Sequence, residues 1–243
     1  MLRAVFFDMG GTLDGDGLHW LARFVDVYSA AGVVMPREAV RSAFDAAELR
    51  AATDVAIMTA HLDEMIERHV GWQLEHLRAT GTHQFTDEAD ARRFHQDVVS
   101  RFAGPIRTAA AANVPLLASL HARGLQLGVV SNGCGNVDLL CGDLGYAPYL
   151  SLIVDSRRVG LSKPDPAIFA HAAARIGLPP SAVMMVGDSF ERDVQPARSI
   201  GMKTAWLEGA AGRPCPDRAA VDLLLRTLAD LPVQLDARSR DVA

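Results

Sequence analysis

Four polar positions in this chain sit where an open α/β sheet would present them to a ligand. The chain opens on an apolar run, Ala4-Val5-Phe6-Phe7, that leads directly into Asp8, then Met9-Gly10-Gly11-Thr12. A strand ending this way holds a carboxylate at its C-terminal tip, the edge at which such sheets bind ligands. The glycines allow the backbone to approach a ligand closely. Asp8 therefore reads as a nucleophile or a metal ligand. The plainer alternative is an aspartate that caps a turn, and this segment alone leaves both open. A second apolar run, Leu125 to Val130, ends at Ser131, and a third, Ala182 to Val186, ends at Gly187-Asp188. Lys163 lies in a loop between them, in Ser162-Lys163-Pro164-Asp165-Pro166. Of the 24 basic residues only two are lysines, Lys163 and Lys203. Two carboxylates, a hydroxyl and an ammonium converging in one crevice suit a divalent cation together with an oxyanion such as phosphate.

The elements that must position these groups are legible as alternating patterns. From Leu18 to about Arg107 the spacing is helical: Leu21, Phe24, Val25 and Tyr28 recur at helix intervals, and Pro36 opens a second helix. Thr53 or Asp54 is expected to cap a long third helix through Leu77, and Asp87 to Phe102 a fourth. From Pro115 the pattern alternates. A helix is expected over Leu116 to Arg123, strands at Leu125–Val130, Leu152–Val154, Ala182–Val186 and Lys203–Leu207, and helices from Asp165, over Glu191 to Ile200 and over Val221 to Leu231. Such alternation implies a parallel sheet wrapped by helices. A net charge of -5 with scattered basic residues argues against a nucleic-acid surface. No apolar run is long enough to span a membrane. Cys134, Cys141 and Cys215 form no metal or disulfide framework. A cytoplasmic protein, monomeric or homodimeric, is expected.

Taken in order, the motifs resemble those of the haloacid dehalogenase superfamily. Asp8-Met9-Gly10-Gly11-Thr12 resembles its first motif, D-x-D-G-T. Val129-Val130-Ser131-Asn132 resembles the second, Lys163-Pro164-Asp165-Pro166 the third, and Gly187-Asp188-Ser189-Phe190-Glu191-Arg192-Asp193 the fourth. The resemblance covers essentially the whole chain. It implies an α/β fold: a Rossmann-like parallel sheet core, residues 1–14 and 108–243, with an α-helical cap domain, residues 15–107, inserted after the first strand. It implies that Asp8 attacks phosphorus and forms an aspartyl-phosphate. It implies Mg²⁺ held by Asp8, the Gly10 carbonyl and Asp188, with Asp193 completing or supporting the site. Ser131 and Lys163 would hold phosphoryl oxygens, with Asn132 and His19 beside the substrate and Thr12 supplying a supporting hydroxyl. The implied substrate is a small phosphorylated metabolite.

One departure matters. The second aspartate of the first motif is Gly10 here, so the side chain that protonates the leaving oxygen is absent. General acid–base catalysis is worth about 10²–10⁴ in rate. Asp14, Asp16 or His19 could replace it, though each taken singly reads more readily as a turn or surface residue. Otherwise the substrate has a good leaving group, as in an acyl phosphate. A 2-haloacid dehalogenase needs no such proton and no Mg²⁺, and the Ser131-Asn132-Gly133 run suits one, but the intact fourth motif would then be unexplained. A non-catalytic phosphate binder is a further alternative. A phosphonate hydrolase of the Schiff-base type is disfavoured because no lysine precedes Lys163. In the cap, Met58, Leu62, Met65, His69, Trp72 and His76 form one helical stripe. His69, His76 and Trp20 read either as substrate wall or as packed core.

Overall fold

A computed structural model describes residues 1–209 and 212–240. Six strands form one parallel sheet: β1 (Ala4–Phe7), β2 (Gln126–Ser131), β3 (Leu150–Asp155), β4 (Val183–Gly187), β5 (Lys203–Leu207) and β6 (Leu223–Leu225). Their spatial order is β3-β2-β1-β4-β5-β6. The α/β parallel sheet expected from the alternating pattern is the observed architecture. β1 lies at the centre, paired with β2 and β4, and Phe7 is level with Val129 and Val186. The tips of β1, β2 and β4, and with them Asp8, Ser131 and Asp188, therefore share one edge.

Side chains of successive strand residues point to opposite faces, and each face has its own core. Val5, Phe7, Leu127, Val129, Met184 and Val186 face one side; Ala4, Phe6, Val130, Val183 and Met185 face the other. Gly128 is required where it stands, since a Cβ there would lie 2.9 Å from the Phe6 ring and 3.2 Å from the Leu152 carbonyl.

The helices are α1 (Trp20–Ala30), α2 (Arg37–Ala51), α3 (Leu62–Ala79), α4 (Glu88–Ala122), α5 (Val137–Asp143), α6 (Ser156–Val159), α7 (Ala167–Arg175), α8 (Gln195–Ser199) and α9 (Asp230–Arg240). α7 and α8 cover the second face through Ile168, Phe169, Ala172, Ala173 and Ala197. On the first face Leu116, Leu117 and Leu120 of α4 join Val137 and Leu140 of α5. The same core runs on into α1–α3 without a break. Phe24 stacks on Phe102 with ring centroids 4.0 Å apart and on His69 at 5.4 Å. Among the described residues no helix is long and apolar enough to cross a membrane.

Three expectations are corrected. The third helix starts at Leu62, not at residue 53 or 54. Asp54 instead accepts from the Ala56 amide and opens a separate 3₁₀ turn, Ala56–Thr59. The true N-terminus is capped from a distance, by Asp143 accepting from the Leu62 amide at 2.9 Å. The helices expected at Asp87–Phe102 and Leu116–Arg123 are one 35-residue helix, α4, which carries Pro105 and Pro115. A proline removes one backbone hydrogen bond. Pro105 and Pro115 are exposed, as are Arg101 and Ala111, four residues earlier, whose carbonyls lose a partner. Water can serve those carbonyls, so the helix continues. Finally, Val221–Leu231 is not a helix. Leu223–Leu225 pairs with β5, and Asp230, the first residue of α9, accepts from the Arg226 and Thr227 amides.

Candidate active site

Asp8 leaves the tip of β1 with its amide donating to the Val186 carbonyl at 3.0 Å. Its Oδ1 accepts from the Met9 amide at 2.7 Å, which fixes the carboxylate at the start of the wide turn Met9–Leu13. Gly11 in that turn has φ 88°, and a Cβ on it would lie 2.8 Å from the Asp188 carboxylate. Only glycine leaves this space, and Asp188 occupies it. Thr12, fully buried, donates to Asp188 Oδ1 at 3.3 Å.

Lys163 joins two of the acids. Its Nζ lies 2.6 Å from Asp8 Oδ1 and 2.7 Å from Asp193 Oδ1. Burial alone would push this ammonium's pKa down, but the charges of Asp193 and Asp8 together hold it above the ordinary lysine value. Burial drives the Asp188 carboxyl upward, and the charge of Asp8 adds to it. Asp193 is raised for the same reasons, against the pull of Lys163. Carboxylate oxygens of Asp8, Asp188 and Asp193 all lie within 4.8 Å of one another. Three hard oxygen donors at that spacing form a set suited to a small divalent cation.

Asn132 and Lys163 hold each other in place. The Asn132 amide nitrogen donates to the Lys163 carbonyl, and the Lys163 amide donates to Asn132 Oδ1, both at 2.8 Å. Asn132 also lines the cavity, so it positions Lys163 while facing the site.

A cavity of about 240 Å³ opens over these groups. Asp8, Gly10, Ser131, Asn132 and Lys163 form its floor, and Ile57, Leu62, Met65 and Leu140 an apolar wall. His19, Trp20, Glu48, His69 and Arg192 also line it. Asp14 reaches the cavity as well. Its Oδ1 accepts from the Gly11 amide and its Oδ2 from Trp20 Nε1, at 2.7 and 2.6 Å. Burial pushes its carboxyl up to about 6, against the lowering effect of Arg23. Asp16 does not join the group: its carboxylate accepts from the Leu228 amide at 3.1 Å. His69 is both core and wall. Tyr28 donates to Gln73 Oε1, the Gln73 amide nitrogen meets His69 Nδ1, and His69 Nε2 meets Glu48, in one chain of contacts of 2.8–3.0 Å. His76 is absent from the cavity wall and bonds Ser42 instead.

Two residues to which the motif reading gave no role belong to the site. Arg213, in the segment after β5, places Nη2 2.9 Å from both Asp188 Oδ2 and the Asp188 carbonyl. Arg192 places Nη2 3.2 Å from His19 Nε2. Each partner is far away in sequence, so no local pattern could have signalled either contact.

A central-strand carboxylate, a buried lysine and two further acids at one edge of a parallel sheet define a site suited to a divalent cation and an oxyanion. The family model described as haloacid dehalogenase-like hydrolase matches residues 2–201. The chain belongs to that family and is a hydrolase. It is 35% identical over 117 residues to a phosphoserine phosphatase of Thermus thermophilus, covering 47% of this chain and 46% of that protein. That match spans about half of the relative's length. It is 30% identical over 221 residues to a phosphoglycolate phosphatase of Salmonella typhimurium, covering 85% of this chain and 81% of that protein. Among solved structures, a HAD phosphatase from Thermococcus onnurineus superposes with TM-score 0.54 at 21% identity, over 96% of this chain and 98% of that one. A 2-haloacid dehalogenase from Pseudomonas syringae superposes with TM-score 0.53 at 21% identity, over 98% and 99%. These two establish the fold.

Proposed function

We propose that the protein is a Mg²⁺-dependent phosphatase acting on a small phosphorylated metabolite, with residues 15–107 forming the cap that selects it. The carrying observation is the clustering of the Asp8, Asp188 and Asp193 oxygens around Lys163. The curated relatives named as phosphatases support the same reading.

The donor set fits the ion. The oxygens are hard, they converge, and Gly11 makes room for the Asp188 carboxylate among them. Asp8, the Gly10 carbonyl and Asp188 would hold Mg²⁺, with Asp193 in support. Bound there, the cation neutralises carboxylate and phosphoryl charge. The chain's own residues do the rest. An Asp8 oxygen attacks phosphorus in line, the P–O bond to the leaving group breaks, and an aspartyl-phosphate forms. Water then attacks that phosphorus and frees Asp8 and inorganic phosphate. Lys163 orients Asp8 and, with Ser131, balances the phosphoryl oxygens. Asn132 fixes Lys163 for this task, and Thr12 steadies Asp188.

A second reading has its own observation. Thr12 and Arg213 already engage both Asp188 oxygens, and Gly10 has no proton to give. A metal-independent 2-haloacid dehalogenase would need neither a free Asp188 nor an acid at position 10. One assay separates the two. Phosphate release from a panel of phosphorylated metabolites should require Mg²⁺ and stop on chelation. Chloride release from 2-chloropropionate that survives chelation, without phosphate release, would establish the dehalogenase instead. Neither product from either panel would leave a non-catalytic phosphate binder.

A further inference from the structure

The two imidazoles on the cavity wall differ in one respect. His69 is fully consistent: its Nδ1 faces the Gln73 amide nitrogen and its Nε2 faces the Glu48 carboxylate, so one neutral tautomer satisfies both. His19 has no such solution. Its Nδ1 lies 3.2 Å from the Leu21 amide, where it caps the start of α1, and its Nε2 lies 3.2 Å from Arg192 Nη2. Both neighbours are donors only, whereas a neutral imidazole has one acceptor nitrogen and an imidazolium none. In every protonation state at least one of the two contacts sets donor against donor.

The conflict is cheapest on the Arg192 side. The Leu21 amide belongs to a helix start, where no intrahelical carbonyl can serve it, and Leu21 is buried. With Nδ1 accepting from Leu21, the ring proton sits on Nε2. That N–H and the Arg192 guanidinium then stand side by side on the wall of the cavity that holds Asp8 and Lys163. Both are held in place. Arg192 Nε donates to Ser189 Oγ at 3.3 Å, and the His19 ring meets the edge of Phe44 with centroids 6.0 Å apart. Two adjacent donors without an acceptor between them are what an oxyanion completes. Of the other acids lining the cavity, Glu48 is engaged by His69, and Asp14 by the Gly11 amide and Trp20 Nε1.

We infer that His19 and Arg192 form a second anion subsite, and that it takes a carboxylate carried by the phosphorylated substrate. The substrate class is then a phosphate ester of a short hydroxy acid. This rests on reading Asp8 and Lys163 as the phosphoryl site.

The test is equilibrium binding, by calorimetry with Mg²⁺ present, of 2-carboxyethyl phosphate and propyl phosphate, which differ in a carboxylate against a methyl. Phosphate release is followed alongside each titration, so that binding is separated from turnover. The unaltered chain should prefer the carboxylate by about 10-fold to 100-fold, the range of a charge-assisted contact. His19→Asn and Arg192→Gln should each erase most of that preference. Asparagine still offers the Leu21 amide an acceptor, so α1 keeps its cap, and circular dichroism checks this. Equal binding of the two esters, no binding of either, or a preference that both variants keep overturns the inference. If both variants weaken inorganic phosphate as much as the carboxylated ester, the pair holds the phosphoryl group, and the carboxylate assignment fails. A preference that persists while alkyl, aryl and acyl phosphates all fail to release phosphate with Mg²⁺ present would sink the phosphatase reading and leave the subsite standing.

Discussion

Gly10 has φ -70° and ψ 112°, a conformation open to any residue. The nearest atoms a Cβ there would meet are Trp20 Nε1 at 3.9 Å and Cδ1 at 4.0 Å. Neither backbone strain nor crowding at Cβ explains the missing aspartate. A carboxylate, however, would extend toward the indole whose N–H is held by Asp14. Gly10→Asp is therefore expected to fold. It should raise hydrolysis of alkyl phosphates more than of aryl phosphates, because only poor leaving groups need the restored proton. The slope of log kcat against leaving-group pKa measures this, and an unchanged slope would mean that another residue already acts as the acid. Asp8→Asn should lower turnover by about 10³-fold or more, with an unchanged circular dichroism spectrum. Retention of more than a few per cent activity would remove Asp8 from the nucleophile's role. Asp14 makes a separate statement about stability. Its folded pKa is raised to about 6 from 3.8, so the folded state holds this proton more tightly than the unfolded chain. The associated stability is present below about pH 4 and is lost as pH rises through 6, a span worth about 3 kcal/mol. Denaturant melts from pH 4 to 7 should show a steeper decline for the natural chain than for Asp14→Asn; parallel curves would refute this. Asp8 and Asp188 were legible because each follows the apolar run of a strand, and Lys163 because lysines are so scarce in this chain. The Arg213–Asp188 and Arg192–His19 contacts were not, because folding alone brings those side chains together.

At the scale of elements, strands with strict face alternation were easiest to read. Harder were segments where one pattern serves two structures. Leu223-Leu224-Leu225 fits a helix stripe as well as a buried strand, and only the open edge of β5 makes it a strand. Pro115 reads as a break, yet exposure lets α4 pass through it and through Pro105. Loss of a side chain can be as specific as a motif. Gly128 leaves room on β2 for the Phe6 ring of β1, so Gly128→Ala should cost roughly 1–3 kcal/mol by overpacking. Urea denaturation would measure it, and Phe6→Leu in the same chain should recover part of the loss. No loss would mean that the sheet relaxes around the new methyl, and a loss without recovery that the Leu152 carbonyl, not the Phe6 ring, sets the cost.

For the whole molecule, α4 has a consequence for modularity. The expected boundary at residues 107 and 108 falls inside this helix. Its N-terminal half carries Phe102 against Trp20 and Ile106 into the cavity wall. Its C-terminal half ties Asn113 to the Leu13 carbonyl at 2.8 Å. The two halves are therefore locked in phase. Each added residue rotates one against the other by about 100° and advances it by about 1.5 Å. An extra alanine within the Ala109–Ala112 run keeps local helix propensity high and alters phase. It should abolish turnover, whereas the same insertion after Thr82, in the turn between α3 and α4, should leave most of it. Activity assays on both chains decide this, and equal tolerance would refute it. Exchange of the helical layer between relatives is then a question of rotational register as much as of sequence: a graft joined one residue out of step would present its substrate wall to the wrong side of the sheet.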